Sequence, residues 1–308
     1  MKNEFLIPPG FKDNVNFEAY VEHEYKNNII SYFRSYGFDL IKTPLIDYID
    51  DHVKNNFIIS TKKNEEGLKI RNDITPQIIR VVRSRLKGKN RPLKLCYYGE
   101  VARKFGTMLR PERQFLQVGA ETIGSNKIDA DIEIIDLAYK ALSNIGIKNI
   151  TIELSSKVFL DQFFKKISDS QLILKLKKLI KSKDINKSLN LLSDENDKNY
   201  LLNIFNCSGN LMLIDKYLSN FSTDQITNKE VKNLKTIISK IRLKTADQII
   251  IDLTEIEEKK YHDGIKFTFF AKNVRGEIAS GGRYSIKYNN HYETATGFTT
   301  FMDTVLRA

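Results

Sequence analysis

The stretch Arg91–Gly124, RPLKLCYYGEVARKFGTMLRPERQFLQVGAETIG, narrows the choice of fold more than any other. Its residues alternate with the period of two that a pleated strand imposes. It reads as two strands joined by a long, charged loop. In the first run Leu93, Leu95, Tyr97, Gly99, Val101 and Arg103 share one face, and in the second Arg113, Phe115, Gln117, Gly119 and Glu121 do. The reverse face of the second strand, Leu116, Val118 and Ala120, is apolar and suited to packing on helices. Such a sheet is expected to turn Arg103, Arg113, Gln117 and Glu121 toward a cleft. Gly99 and Gly119 leave room for something to approach the backbone. Two guanidiniums suit a phosphate or carboxylate, and Glu121 with Gln117 suits an ammonium group. Alternation alone equally allows a surface hairpin with solvated charges.

Around this hairpin the chain has 308 residues, enough for one large domain with an insertion or for two medium ones. Its 41% hydrophobic and 28% charged content is that of a globular protein. No apolar run is long enough to span a bilayer, and MKNEFLIPPG lacks the apolar core of a signal peptide, so a cytoplasmic location is the expectation. The two cysteines, Cys96 and Cys207, exclude a disulfide framework or a cysteine-built zinc site. His23, His52, His262 and His291 show no ligand spacing. Neither a metal nor another cofactor is expected. The net charge of +11 is spread along a lysine-rich chain, which a compositional bias explains as well as a nucleic-acid partner does.

In chain order, FLIPPGF reads as a proline-stiffened entry segment. Asn14 or Asn16 is placed to cap a helix over Phe17–Tyr36, with Val21, Tyr25, Ile29 and Phe33 inward and Gly37 as its stop. Phe38–Ile46 reads as a strand that Pro44 confines to an edge or an interface. Residues 61–67 are a polar turn. A short strand over Leu68–Arg71 precedes a helix opened by Thr75 and Pro76 and running through Leu86. The connecting loop places Arg71, Asp73 and Thr75 at a strand end. Ala130–Ile145 reads as a helix and Asn149–Leu154 as a strand. From 157 to 249 lysine-rich amphipathic segments replace strands, with solvated charged faces. Strands return in QIIIDLTEIE, YHDGIKFTFFAKN and GEIASGGRYS, before a final helix near Thr299–Leu306. The pattern predicts a mainly antiparallel α+β domain, residues 1–156 and 250–308, interrupted by an all-helical insertion, residues 157–249.

Several stretches in order, PPGFKD, GFDLIKTPLIDY, LKIRNDITPQIIR, LCYYGEVAR with RQFLQVGAE, YHDGIKF, ASGGRYS and a late GF, resemble the catalytic domain of histidyl-tRNA synthetases. The match is nearest to the family's paralogues without ligase activity, the regulatory subunits of ATP phosphoribosyltransferase. The resemblance spans nearly the whole chain and is weakest across the helical insertion. It implies a class II aminoacyl-tRNA synthetase-like antiparallel sheet flanked by helices, and a homodimer built through the Pro44 segment. It also implies a histidine pocket. Asp73 and Thr75 fall on the ammonium-holding loop, and Arg103 on the second motif's arginine. Gln117 and Glu121 fall on the histidine-pocket positions, and Tyr261 with His262 on the aromatic pair of the histidine-specific segment. Gly281, Gly282, Arg283 and Tyr284 match the GGRY turn.

Departures from the family pattern carry the functional expectation. Glu257 stands where active enzymes have an arginine before the aromatic pair. Thr304 replaces the third motif's arginine, and Phe105 replaces an acid of the second motif. The chain also ends at Ala308, which leaves no room for an anticodon-binding domain. The resemblance thus implies a catalytically silent, regulatory protein in histidine biosynthesis. Its partner would be the short-form catalytic subunit of ATP phosphoribosyltransferase, and L-histidine its effector, in this pocket or at a subunit interface. A divergent histidine-activating ligase and an RNA-binding protein acting through the 157–249 lysines remain as the alternatives.

Overall fold

Helix formation begins with α1 (Asn16–Ser35), which buries Ile29, Ile30 and Phe33 and ends at Gly37, whose φ of +81° only glycine adopts readily. Neither expected asparagine caps it: Val15 is the N-cap, and the Asn14 amide donates instead to Glu22 at 3.3 Å. The computed structural model describes residues 6–49, 55–59, 67–210, 216–221, 224–241, 249–256, 262–288 and 291–308. The polar turn read over 61–67 therefore lies, but for Gly67, outside the described residues.

The strand expected over Phe38–Ile46 is two, β1 (Asp39–Ile41) and β2 (Ile46–Tyr48). The break falls where the carbonyls of Thr43 and Pro44 turn to the Arg71 guanidinium, at 3.0 and 3.3 Å. β2 joins β3 (Phe57–Ile59) and β4 (Leu68–Ile70) in a small antiparallel sheet of order β2-β4-β3. The helix opened by Pro76 is α2 (Thr75–Ser84).

The alternating stretch forms two ten-residue strands, β5 (Leu93–Ala102) and β6 (Gln114–Ile123), paired from Leu93↔Ile123 to Ala102↔Gln114. After α3 (Ile128–Asn144) come β7 (Ile150–Ser156) and the helices α4 (Val158–Lys165), α5 (Ser170–Lys181), α6 (Ile185–Asn190), α7 (Glu195–Asn206) and α8 (Gln225–Lys240). Asp169, Asp184, Asp194 and Asp224 cap α5 to α8 by accepting first-turn backbone N–H bonds. A two-residue strand, β8 (Gly209–Asn210), interrupts this helical run. β9 (Ile249–Ile251), β10 (His262–Ala271), β11 (Ala279–Lys287) and β12 (Tyr292–Phe301) follow. The final helix, α9 (Met302–Val305), is shorter than its expected span because Thr299–Phe301 stay in the β12 ladder, opposite Gly119–Gln117.

The large sheet has the order β1-β5-β6-β12-β11-β10-β7-β9-β8, antiparallel except for β1–β5 and β7–β9. Its two faces are buried differently. Leu116, Val118, Ala120 and Phe298 face α1 and α3, in a core continuous with Phe159, Phe163, Tyr200 and Leu234 of the helical run. Tyr97, Val101, Phe115, Tyr284 and Phe301 face the other way, with α2 covering one end through Ile74, Ile78 and Val82. The site opens on this second face.

Candidate functional site

A cavity of about 220 Å³ lies over the middle of the sheet. Asp73, Thr75, Arg103, Gln117, Glu121, Gly281, Gly282 and Tyr284 line it, joined by Ser280, Gly297, Thr299 and Phe301. Eight of the residues expected from sequence thus meet in one place. Several of the polar groups are held by hydrogen bonds. The Ile74 N–H donates to Asp73 Oδ1 at 2.9 Å and to Gln117 Oε1 at 3.1 Å, which ties the start of α2 to β6. Thr75 Oγ1 donates to Glu121 Oε1 at 3.2 Å, and Tyr284 Oη donates to Oε2 at 3.0 Å. Beneath them, Tyr97 Oη lies 3.1 Å from Thr75 Oγ1 and 2.7 Å from Thr299 Oγ1.

Burial dominates the electrostatics. The Glu121 carboxyl, 1% exposed, is pushed up to about 8 by loss of water, with hydrogen bonds from Tyr284 and Thr75 pulling the other way. The Tyr97 phenol rises well above its usual value for the same reason, with Glu121 adding to it. Arg103 is lowered by burial and then by the neighbouring Arg110. The Arg103 guanidinium and the Asp73 carboxyl line the same cavity and complement a small zwitterion, with Glu121, Gln117 and Thr75 as hydrogen-bonding groups. Among the described residues no cluster of His, Cys, Asp or Glu is placed to hold a metal.

Two expectations need correction, and a third lies outside the described residues. Arg283 does not line the cavity: it donates to Asp131 Oδ2 at 2.7 and 3.0 Å and to the carbonyls of Ser125 and Lys127, both at 2.9 Å. The reason is the pleat. GGRY is not a turn but lies in β11, so Gly282 and Tyr284 share the cavity face while Arg283 points to α3. The glycines serve packing: a Cβ at Gly281 would strike the Gly297 carbonyl and the Phe267 ring. Arg113 also stays out of the cleft. It lies between the rings of Phe11 and Phe57, 4.9 and 5.0 Å from their centroids, and donates to the Pro9 carbonyl at 3.0 Å. Tyr261 and Glu257 lie outside the described residues, and of His262 only the backbone is described, opposite Tyr284 in the ladder.

Residues that sequence reasoning left out complete the site. Tyr97 shares the alternation that singled out Gly99 and Arg103, so a signal for it existed. Ser280, Gly297 and Thr299 carry the same period along β11 and β12. Arg71, at the strand end beside Asp73, turns away from the cavity and caps carbonyls of Thr43, Pro44 and Glu100. Beyond Phe301, Thr304 is fully buried, and Asp303 pairs with Arg110 of the β5–β6 loop.

This sheet, with the small β2–β4 sheet and the cavity beside the β5–β6 hairpin, defines a class II aminoacyl-tRNA synthetase-like protein. The family model described as histidyl-tRNA synthetase matches residues 10–305, and the chain belongs to that family. Within it, the chain resembles the ATP phosphoribosyltransferase regulatory subunit of Rhodospirillum centenum, 29% identical over 98% of this chain and 80% of the relative. The structure of an ATP phosphoribosyltransferase regulatory subunit/histidyl-tRNA synthetase from Bacillus halodurans superposes with a TM-score of 0.86 at 22% identity, covering 100% of this chain and 83% of that one. A chain of the ATP phosphoribosyl transferase (HisG:HisZ) complex from Thermotoga maritima superposes with a TM-score of 0.69 at 19% identity, covering 91% and 97%. Among the described residues no helix is long and apolar enough to cross a membrane.

Proposed function

We propose that this protein is a non-catalytic regulatory subunit of ATP phosphoribosyltransferase, acting on a short-form catalytic subunit in the first step of histidine biosynthesis. Free histidine is its effector, bound in the cavity. The observation that carries this reading is the pairing of a kept amino-acid site with a changed neighbourhood. Asp73, Thr75, Arg103, Gln117 and Glu121 surround one cavity, while Thr304, where the family resemblance puts an arginine, is buried next to the Asp303 carboxylate. Amino-acid activation concentrates negative charge in its transition state and needs fixed cations there. Losing that arginine, at a place where Asp303 is already paired with Arg110, leaves one fixed cation fewer for ATP chemistry, while the groups that suit an amino acid stay around the cavity. The names of the Rhodospirillum relative and of the Thermotoga complex support the same reading.

Self-association through the Pro44 segment is part of the proposal. Leu40, Leu45, Ile46 and Tyr48 are 43%, 45%, 39% and 61% exposed around it, an apolar patch that a second copy would cover. Feedback then requires histidine to prefer one quaternary state by about 1–3 kcal/mol.

The test is phosphoribosyl-ATP formation from ATP and PRPP by the short-form catalytic subunit of the same organism, with and without this chain, then with histidine. A rate rise that histidine reverses is expected. No effect, together with histidine-dependent ATP–pyrophosphate exchange by this chain alone, would replace the proposal with a ligase.

A further inference from the structure

Two guanidinium groups share one aromatic ring at the edge of the cavity, and among the described residues only one of them is paired with carboxylates. Arg103 and Arg110 lie 4.9 and 4.6 Å from the centroid of Phe115, and Arg110 also lies 3.8 Å from that of Phe301. Arg110 Nε and Nη2 donate to the two oxygens of Asp303, each at 3.3 Å, and Nη1 donates to Glu277 Oε1 at 3.0 Å. The side chains of Arg110 and Asp303 are 5% and 2% exposed. Arg103 instead lines the cavity, and among the described residues no carboxylate is paired with it. Asp73, Asp303 and Glu277 are nonetheless near enough for their fields to act on it.

We infer that Asp303 and Glu277 set the charge of the ligand: they hold Arg110 out of the cavity, so that Arg103 is left to bind one carboxylate and phosphate-bearing ligands are refused. This rests on reading the cavity as an amino-acid site. A carboxylate needs one forked guanidinium. A polyphosphate needs several cations to offset the water it loses, and here it would meet two further carboxylates behind the single cation. The same two carboxylates tether the β5–β6 loop, in which the Thr107 N–H donates to the Arg110 carbonyl at 2.7 Å. Neutralising them would leave Arg103 and Arg110 as a pair on Phe115 with only Asp73 acting against their charge, a site for a multivalent anion.

The test uses the full chain, with inorganic pyrophosphate and histidine as separate calorimetric probes. Wild-type protein is expected to bind histidine and not pyrophosphate. In the Asp303→Asn/Glu277→Gln double variant, pyrophosphate affinity is expected to rise about tenfold or more and to weaken with salt, as for interactions between charges. Histidine affinity should change by less than about threefold, since neither residue lines the cavity. A folded double variant with no gain in pyrophosphate binding overturns the inference, as does wild-type protein that binds pyrophosphate equally well. Should the double variant fail to fold, Glu277→Gln alone acts at a side chain 32% exposed. A rise of about threefold is expected there, and no rise overturns the inference. Pyrophosphate gain in a chain that never binds histidine would overturn the amino-acid reading of the cavity and leave the charge argument standing.

Discussion

The Oε2 atom of Glu121 occupies the space that a Cβ on Gly297 would fill. The two residues are directly opposed in the β6–β12 ladder, and Tyr284 stands one strand further on, in β11. The glutamate side chain therefore lies flat across β12, over a residue with no side chain, and meets the Tyr284 hydroxyl on the far side. A glycine in mid-strand costs backbone entropy, and here it gives a buried carboxyl its place.

Gly297→Ala should remove that place. The added methyl overlaps the carboxyl, which must leave Tyr284 or force the strands apart. Overpacking of this kind costs about 1–3 kcal/mol. Histidine affinity is expected to fall by about tenfold or more, as for loss of a buried hydrogen-bonding partner. Calorimetry and urea unfolding read the two effects. Unchanged histidine affinity would show that the position of Glu121 is immaterial to binding.

The raised Glu121 carboxyl makes a signed statement about pH. Its folded value of about 8 lies above the ordinary 4.5, so the folded state holds the proton where the unfolded state has released it. The contribution to stability is fully present below the ordinary value and is lost as pH rises toward the folded one. The slope is at most about 1.4 kcal/mol per pH unit between these limits. Glu121→Gln should flatten that part of the stability profile from pH 5 to 8. Chemical denaturation of both proteins across this range is the measurement, and parallel profiles would mean that Glu121 is ionised in the folded protein.

The hairpin and three of the cavity residues were legible in the sequence from the period of two, Asp73 and Thr75 from a loop at a strand end, and Gly281, Gly282 and Tyr284 only through the family resemblance. Arg103, Gln117 and Glu121 follow from alternation along one hairpin, and its apolar reverse face foretold the packing on α1 and α3. The same period corrects the reading of Arg283, which shares a motif with Gly282 and Tyr284 but not a face. Long-range ion pairs left no such trace. Arg110 and Asp303 are 193 residues apart, and nothing in the spacing of either announces the other. Arg113 and Arg71 were legible as arginines near a strand end, but whether such a residue points to a ligand or to a carbonyl is decided by the tertiary fold. Helix ends were the least legible, as at Asn14, whose amide serves Glu22 in place of a cap.

Arg71 is a buckle, and its replacement is the sharpest test of the architecture that holds the site. It is 6% exposed, and its guanidinium is lowered by burial, against the pull of Glu100. Nε donates to the Glu100 carbonyl at 2.7 Å, while Nη1 lies 3.0 Å from both oxygens of Thr43 and 3.3 Å from the Pro44 carbonyl and Gln77 Oε1. Gly99 admits it, since a Cβ there would overlap Nη2. One planar fork thus ties the edge of β5 to the Pro44 segment and to α2. Lysine keeps the charge but has neither the fork nor the reach to serve carbonyls on both sides. Arg71→Lys leaves some of these buried acceptors unsatisfied and should destabilise the chain by about 2–4 kcal/mol. Urea unfolding would show this as a lowered midpoint with an unchanged slope. Sedimentation at matched concentration should also show weaker self-association if the Pro44 patch is where two copies meet. A stable, equally associated variant would place the support of that segment elsewhere.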